Sequence, residues 1–164
     1  MSPSSVMDIL KQAYLLEQQG KTLYETARNT ALDNSVKSFF QDLADDETDH
    51  MAILKKQMNA FQDKGQFTAE SRVDDPMEEE ILDPALREKI NTAGFEATAV
   101  TAAVAFEERA VQTYARRAEE ATDPEEKKLY HWLATWEKTH LKRLMALQES
   151  LIQRIWNDND FWPM

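Results

Sequence analysis

No cysteine occurs in the 164 residues, which removes disulfides, thiolate zinc sites and Cys-ligated iron–sulfur clusters from consideration. Any bound metal must therefore rely on imidazole and carboxylate. Glycine and proline are also scarce, 3 and 5 residues, a balance that favours long helices over strands and turns. Lys and Arg number 19 against 30 Asp and Glu, for a net charge of -11. Binding nucleic acid depends on basic side chains displacing counterions from phosphates, so no nucleic-acid partner is expected. No uninterrupted apolar run approaches the roughly 18 residues of a membrane span, so no membrane partner is expected. The N terminus, MSPSSVMDIL, lacks the basic flank and apolar stretch of a secretory leader, which points to the cytoplasm.

The chain contains an internal repeat. Glu17 matches Glu107, Tyr24 matches Tyr114, Asp33 matches Asp123, Leu43 matches Leu133, Glu47 matches Glu137, His50 matches His140 and Leu54 matches Leu144, each pair 90 apart (107 − 17, 140 − 50). A constant offset without insertion implies two copies of one supersecondary unit. Apolar or small residues recur at helical spacing on one face: Val6, Leu10, Ala13, Gly20, Tyr24 and Ala27, then Val36, Phe40, Leu43, Leu54 and Phe61. The second copy has Val100, Ala103, Ala110, Tyr114 and Ala118, then Leu129, Leu133, Leu144, Leu147 and Leu151. Asp33 and Asp123 stand where helix N-caps belong, and Pro124 suits a first helical position.

The expected architecture is thus an all-α four-helix bundle of two helical hairpins, in a single domain over residues 1–164. Hairpin one is expected at about 4–62, a crossover at about 63–94, hairpin two at about 95–156 and an aromatic tail at 157–164. The crossover carries Gly65, Pro76 and the acidic run Asp74, Asp75, Glu78, Glu79 and Glu80, with a short helix expected from Asp83-Pro84 to near Gly94. It is long enough to run the length of a helix, a standard way of joining two hairpins.

Glu17, Glu47, His50, Glu107, Glu137 and His140 break the pattern, because they fall on stripes where Leu or Ala is expected. A buried carboxylate costs several kcal/mol unless it is paired, protonated or bound to metal. Glu17 lies 16 residues before Asp33 and Glu47 lies 14 after it (33 − 17, 47 − 33), so on antiparallel helices they share one level. The i, i+3 spacing of Glu47 with His50, and of Glu137 with His140, puts each pair on one helix face. Four carboxylates and two imidazoles can therefore converge. Hard oxygen and nitrogen donors suit iron or manganese, and shared carboxylates suit two closely spaced ions.

These motifs resemble a known family. LLEQQGKTLYETA and AFEERAVQTYARRA are similar to the first and third helices of rubrerythrin-like proteins, and LADDETDHMAIL and LATWEKTHLKRL to the second and fourth, over about residues 6–150. The resemblance implies a ferritin-like bundle holding two iron ions, with manganese or zinc as substitutes, that reacts with dioxygen or hydrogen peroxide. It implies Glu47 and Glu137 as bridging ligands and Glu17 and Glu107 as terminal ones. The chain lacks the Cys-bound iron domain of the rubrerythrins proper. Ala110 stands where they carry an additional Glu, which leaves a symmetrical ligand set closer to a bacterioferritin-like site. The functional expectation is an oxidoreductase drawing on an external electron donor. The alternative is a non-catalytic iron-binding, storage or delivery protein.

Around the motifs, Tyr24 and Tyr114 lie two turns from Glu17 and Glu107 and can hydrogen-bond a ligand carboxylate, carry a radical or simply pack. Trp132 and Trp136 are expected as core or as apolar surface for a homodimer. Of Asp45, Asp46 and Asp49, one can orient a ligand imidazole, although such charges usually form a solvated face; His131 is expected at the surface. The tail residues Trp156, Phe161 and Trp162 can cover the bundle end, dock a partner or be disordered.

Overall fold

The computed structural model describes residues 3–69, 84–90 and 94–158. Five helices follow in order: α1 Pro3–Thr30, α2 Asn34–Lys64, α3 Pro84–Lys89, α4 Phe95–Glu120 and α5 Pro124–Asp158. No strand occurs among the described residues. α1 packs along α2 and α4 along α5, while the two hairpins meet through α1 and α4. The fold is an all-α, ferritin-like helical bundle.

Both hairpin turns use the same bonds 90 residues apart (121 − 31, 127 − 37). At the ends of α1 and α4, Ala31 N–H donates to the Ala27 carbonyl and Ala121 N–H to that of Arg117, each at 2.9 Å. At the starts of α2 and α5, Lys37 N–H donates to the Asp33 carbonyl and Lys127 N–H to that of Asp123, at 3.0 and 2.9 Å. The capping carboxylates complete the turns: Asp33 accepts from Ser35 N–H at 2.7 Å, and Asp123 from Glu125 and Glu126 N–H at 2.8 and 3.1 Å. Each cap satisfies helix-terminal donors that have no partner within the helix. α2 stops at Gly65, whose φ of 68° is left-handed and whose N–H bonds back to the Phe61 carbonyl.

The apolar stripes lie inside as their spacing requires, but they form two clusters rather than one. Tyr24, Phe40, Leu43, Val100, Leu144 and Leu147 fill one end of the bundle. Leu10, Leu54, Tyr114, Leu129, Tyr130 and Leu133 fill the other. The duplication reaches into the packing: Tyr24 stacks on Phe40 at 6.5 Å and Tyr114 on Tyr130 at 6.1 Å.

α3 is shorter than the helix expected up to Gly94, and it is tied to both hairpins. Arg154 of α5 donates to the Ile90 carbonyl at 2.9 Å, and Lys89 donates to Ser35 Oγ at 3.1 Å. Beyond α2, Gln57 holds Thr68 by both backbone groups, at 3.0 and 3.1 Å. The acidic run at 74–80, Phe161 and Trp162 lie outside the described residues. Trp156 is exposed on α5, which ends at Asp158, close to the boundary expected between hairpin two and the tail. Among the described residues, no helix is long and apolar enough to cross a membrane.

Because Asp123 accepts two helix-terminal N–H bonds, Asp123→Ala should lower unfolding free energy by about 1 kcal/mol. Urea denaturation should show the loss as a lower midpoint with an unchanged slope.

Candidate metal centre

The six residues that break the apolar pattern meet between the two core clusters, each at most 2% exposed. α1 brings Glu17, α2 Glu47 and His50, α4 Glu107, and α5 Glu137 and His140. His50 Nδ1 lies 2.9 Å from Glu17, 3.4 Å from Glu47 and 3.2 Å from Glu137. His140 Nδ1 lies 3.1 Å from Glu137, 3.5 Å from Glu107 and 3.7 Å from Glu47. Two overlapping groups result: Glu17, Glu47, His50 and Glu137 in one, and Glu47, Glu107, Glu137 and His140 in the other. Within each, the donor atoms all lie within 4.8 Å of one another. Glu47 and Glu137 belong to both.

The tyrosines act across the bundle rather than along their own helices. Tyr24 of α1 donates to Glu107 of α4, and Tyr114 of α4 donates to Glu17 of α1. Burial, reinforced by the nearby carboxylates, holds both phenols well above their ordinary range, so they keep the protons they donate. Each orients a carboxylate of the opposite hairpin.

Protein groups alone leave this layer poorly satisfied. Both oxygens of Glu47, Oε2 of Glu107 and Oε1 of Glu137 are buried without a hydrogen-bond partner. His50 Nδ1 approaches Glu137 Oε1 at 3.2 Å but off the direction a hydrogen bond requires. Leaving such an acceptor unsatisfied costs about 1–3 kcal/mol, and more when it is charged. Burial and the neighbouring Glu137 and Glu17 push the Glu47 carboxyl well above its usual range. Burial and Glu137 push Glu107 up to about 8. Burial works against ionisation of Glu137 too, yet its hydrogen bond with His140 and the close His50 imidazole outweigh it and hold that carboxyl below its usual range. Burial disfavours both imidazolium ions, but the close carboxylates prevail: His50 is raised by Glu137, Glu17 and Glu47, and His140 by Asp46, Glu107 and Glu137. The donor set fits a pair of hard cations, since two divalent ions supply the four charges that balance four carboxylates.

Three features of the surroundings carry more than their spacing suggested. Asp46, one of three acidic candidates on its face of α2, accepts from His140 Nε2 at 3.1 Å, whereas Asp45 and Asp49 are exposed. Trp132 is buried and sets its ring 5.3 Å from that of His50, and Trp136 lies 5.7 Å from the same ring. Of the two places expected for them, Trp132 takes the core, and Trp136 is only partly exposed. Gly20, counted simply as a small stripe residue, makes room. A Cβ there would stand 2.9 Å from the Phe106 ring and 3.0 Å from Glu47 Oε1. His131 is exposed, as expected.

Because Glu107 is pushed up to about 8, a cation entering this layer competes with its proton below that pH. Metal affinity should therefore rise with pH between 6 and 8, with protons released on binding. Zinc titration calorimetry in buffers of different ionisation enthalpy reads both effects.

The family model for rubrerythrin matches residues 8–148, a span that includes all six clustered residues. A solved structure of a hypothetical protein from Pyrococcus furiosus is 23% identical and superimposes with a TM-score of 0.68. The match covers 93% of this chain and 92% of that one, a likeness of fold. No curated protein matches the sequence. With most of its length inside the family model, the chain belongs to the rubrerythrin family.

Proposed function

We propose that this protein is a di-iron oxidoreductase reacting with dioxygen or hydrogen peroxide, and the observation that carries the proposal is the pair of buried ligand groups sharing Glu47 and Glu137. Glu17 and His50 would hold one ion and Glu107 and His140 the other, with the shared carboxylates bridging. Bound iron supplies the redox chemistry, passing electrons to the oxidant. The chain supplies the ligand number, the orientation and the dry surroundings.

Tyr114 fixes the rotamer of Glu17, and Tyr24 that of Glu107, through bonds to one carboxylate oxygen each. The second oxygen of Glu107 has no partner and is free to bind metal. The apolar clusters on either side keep bulk water from the layer. An external donor would return the electrons, and a cytoplasmic homodimer is part of the same reading. Manganese or zinc could take the same ligands.

Iron-loaded protein should oxidise ferrous iron, or consume peroxide, faster than free iron at the same concentration. Equal rates with two ions bound would favour the non-catalytic storage or delivery reading. Glu47→Ala and Glu137→Ala remove a carboxylate shared by both ions and should drop metal content well below two per chain. His50→Ala and His140→Ala should keep at least one ion and lose most reactivity. Metal analysis of the four variants checks this; two ions retained in the Glu variants would refute the bridging roles.

Removing metal should also lower the melting temperature, because ions bound only by the folded state stabilise it by mass action. Scanning calorimetry before and after verified chelation gives the comparison, and identical curves would contradict a buried site.

A further inference from the structure

The duplicated frame treats its two histidines differently. Asp46 of α2 and Trp136 of α5 are repeat mates (46 + 90 = 136), and each reaches across to the histidine of the other hairpin. Asp46 Oδ2 lies 3.1 Å from His140 Nε2. The equivalent contact on the other side is the Trp136 ring, 5.7 Å from the His50 ring and inclined at 68°. The second indole on His50, Trp132, is the repeat mate of Asp42 (132 − 90 = 42). Trp136 also touches the His140 ring, at 6.2 Å, so an indole neighbour is common to both histidines. The carboxylate on Nε2 distinguishes His140.

Both imidazoles turn Nδ1 toward the clustered carboxylates, His50 at 2.9 Å from Glu17 and His140 at 3.1 Å from Glu137, which makes Nε2 the outer nitrogen. A carboxylate accepting the outer N–H locks the ring and tautomer and raises the donor strength of the inner nitrogen. An indole cannot replace it, because its N–H is a donor only and cannot accept the imidazole proton. The indole nitrogens of Trp132 and Trp136 are themselves buried without partners, so neither hydrogen-bonds His50. Asp46 also brings a negative charge beside one position, and its side chain is only 28% exposed.

We propose that the two metal positions are inequivalent: the one held by Glu107 and His140, backed by Asp46, binds tightly and fills first, and the one held by Glu17 and His50, against Trp132 and Trp136, is the weaker, exchangeable position. Asp46 is the positioning residue that sets the difference. This inference rests on the metal-binding reading above, and its test separates the two.

Zinc, which has no redox chemistry, is titrated into metal-free full-length protein by calorimetry, and crystals grown at one equivalent per chain are measured at the zinc absorption edge. The expected results are two binding steps and anomalous density at the His140 position. Asp46→Asn keeps the side chain's shape and removes its charge, and should weaken the first step by about 10- to 100-fold while leaving the second nearly unchanged. Trp136→Asp supplies the missing carboxylate and should draw the second step toward the first. First-equivalent density at the His50 position, or divided evenly, overturns the inequivalence. So does an Asp46→Asn variant with an unaltered first step, or with both steps weakened alike. Failure of the parent protein to bind zinc or ferrous iron at all overturns the metal reading itself.

Discussion

The rest of the structure depends on the cost of placing four carboxylates and two imidazoles at one level of a helical bundle, sealed from water. Glu47 and Glu107 are driven toward their neutral forms while Glu137 is held ionised by two histidines, so the layer shares charge internally. Several carboxylate oxygens still lack partners. A protein selected only for stability would place apolar residues at such positions, as this one does at Leu43, Leu54, Leu133 and Leu144. The layer divides the core in two, and each apolar half must be well packed to tolerate it.

Helices pressed together around such a layer must leave space for its side chains. Gly20 provides some on α1, where alanine would crowd Phe106 and Glu47, although glycine within a helix costs about 0.5–1 kcal/mol. Its repeat mate is Ala110 (20 + 90), where the small methyl group is buried. The crossed bonds Tyr24 to Glu107 and Tyr114 to Glu17 then join the hairpins. Each hairpin orients a carboxylate contributed by the other, so the layer is complete only when both have docked.

Duplication explains the common plan, and divergence between the copies explains the departures from it. The caps, turn bonds, ligand residues and stacked aromatics occur in both halves. Where the first copy has Asp42 and Asp46 the second has Trp132 and Trp136, which changes what touches the histidines while leaving the clustered donors paired. A near two-fold arrangement of ligands can therefore sit in surroundings that are not two-fold.

All-α architecture, the hairpin turns at Asp33 and Asp123 and the convergence of the six polar residues were legible in the sequence. They follow from local rules: helical period, capping chemistry, and the nearly equal distances of Glu17 and Glu47 from a shared turn. The end of α3 at Lys89 was not legible, and the groups bonded there, Arg154 and Ser35, come from helices far along the chain. Nor was the choice among Asp45, Asp46 and Asp49, which share a helix face and differ only in where His140 of α5 lies across the bundle. Trp132 and Trp136 could have faced solvent or core until the position of α2 put His50 against them. Spacing along one helix determines which residues share a level and a face. Which atom meets which across the interior depends on the rotation and separation of helices distant in the chain, and only the packed tertiary structure decides that.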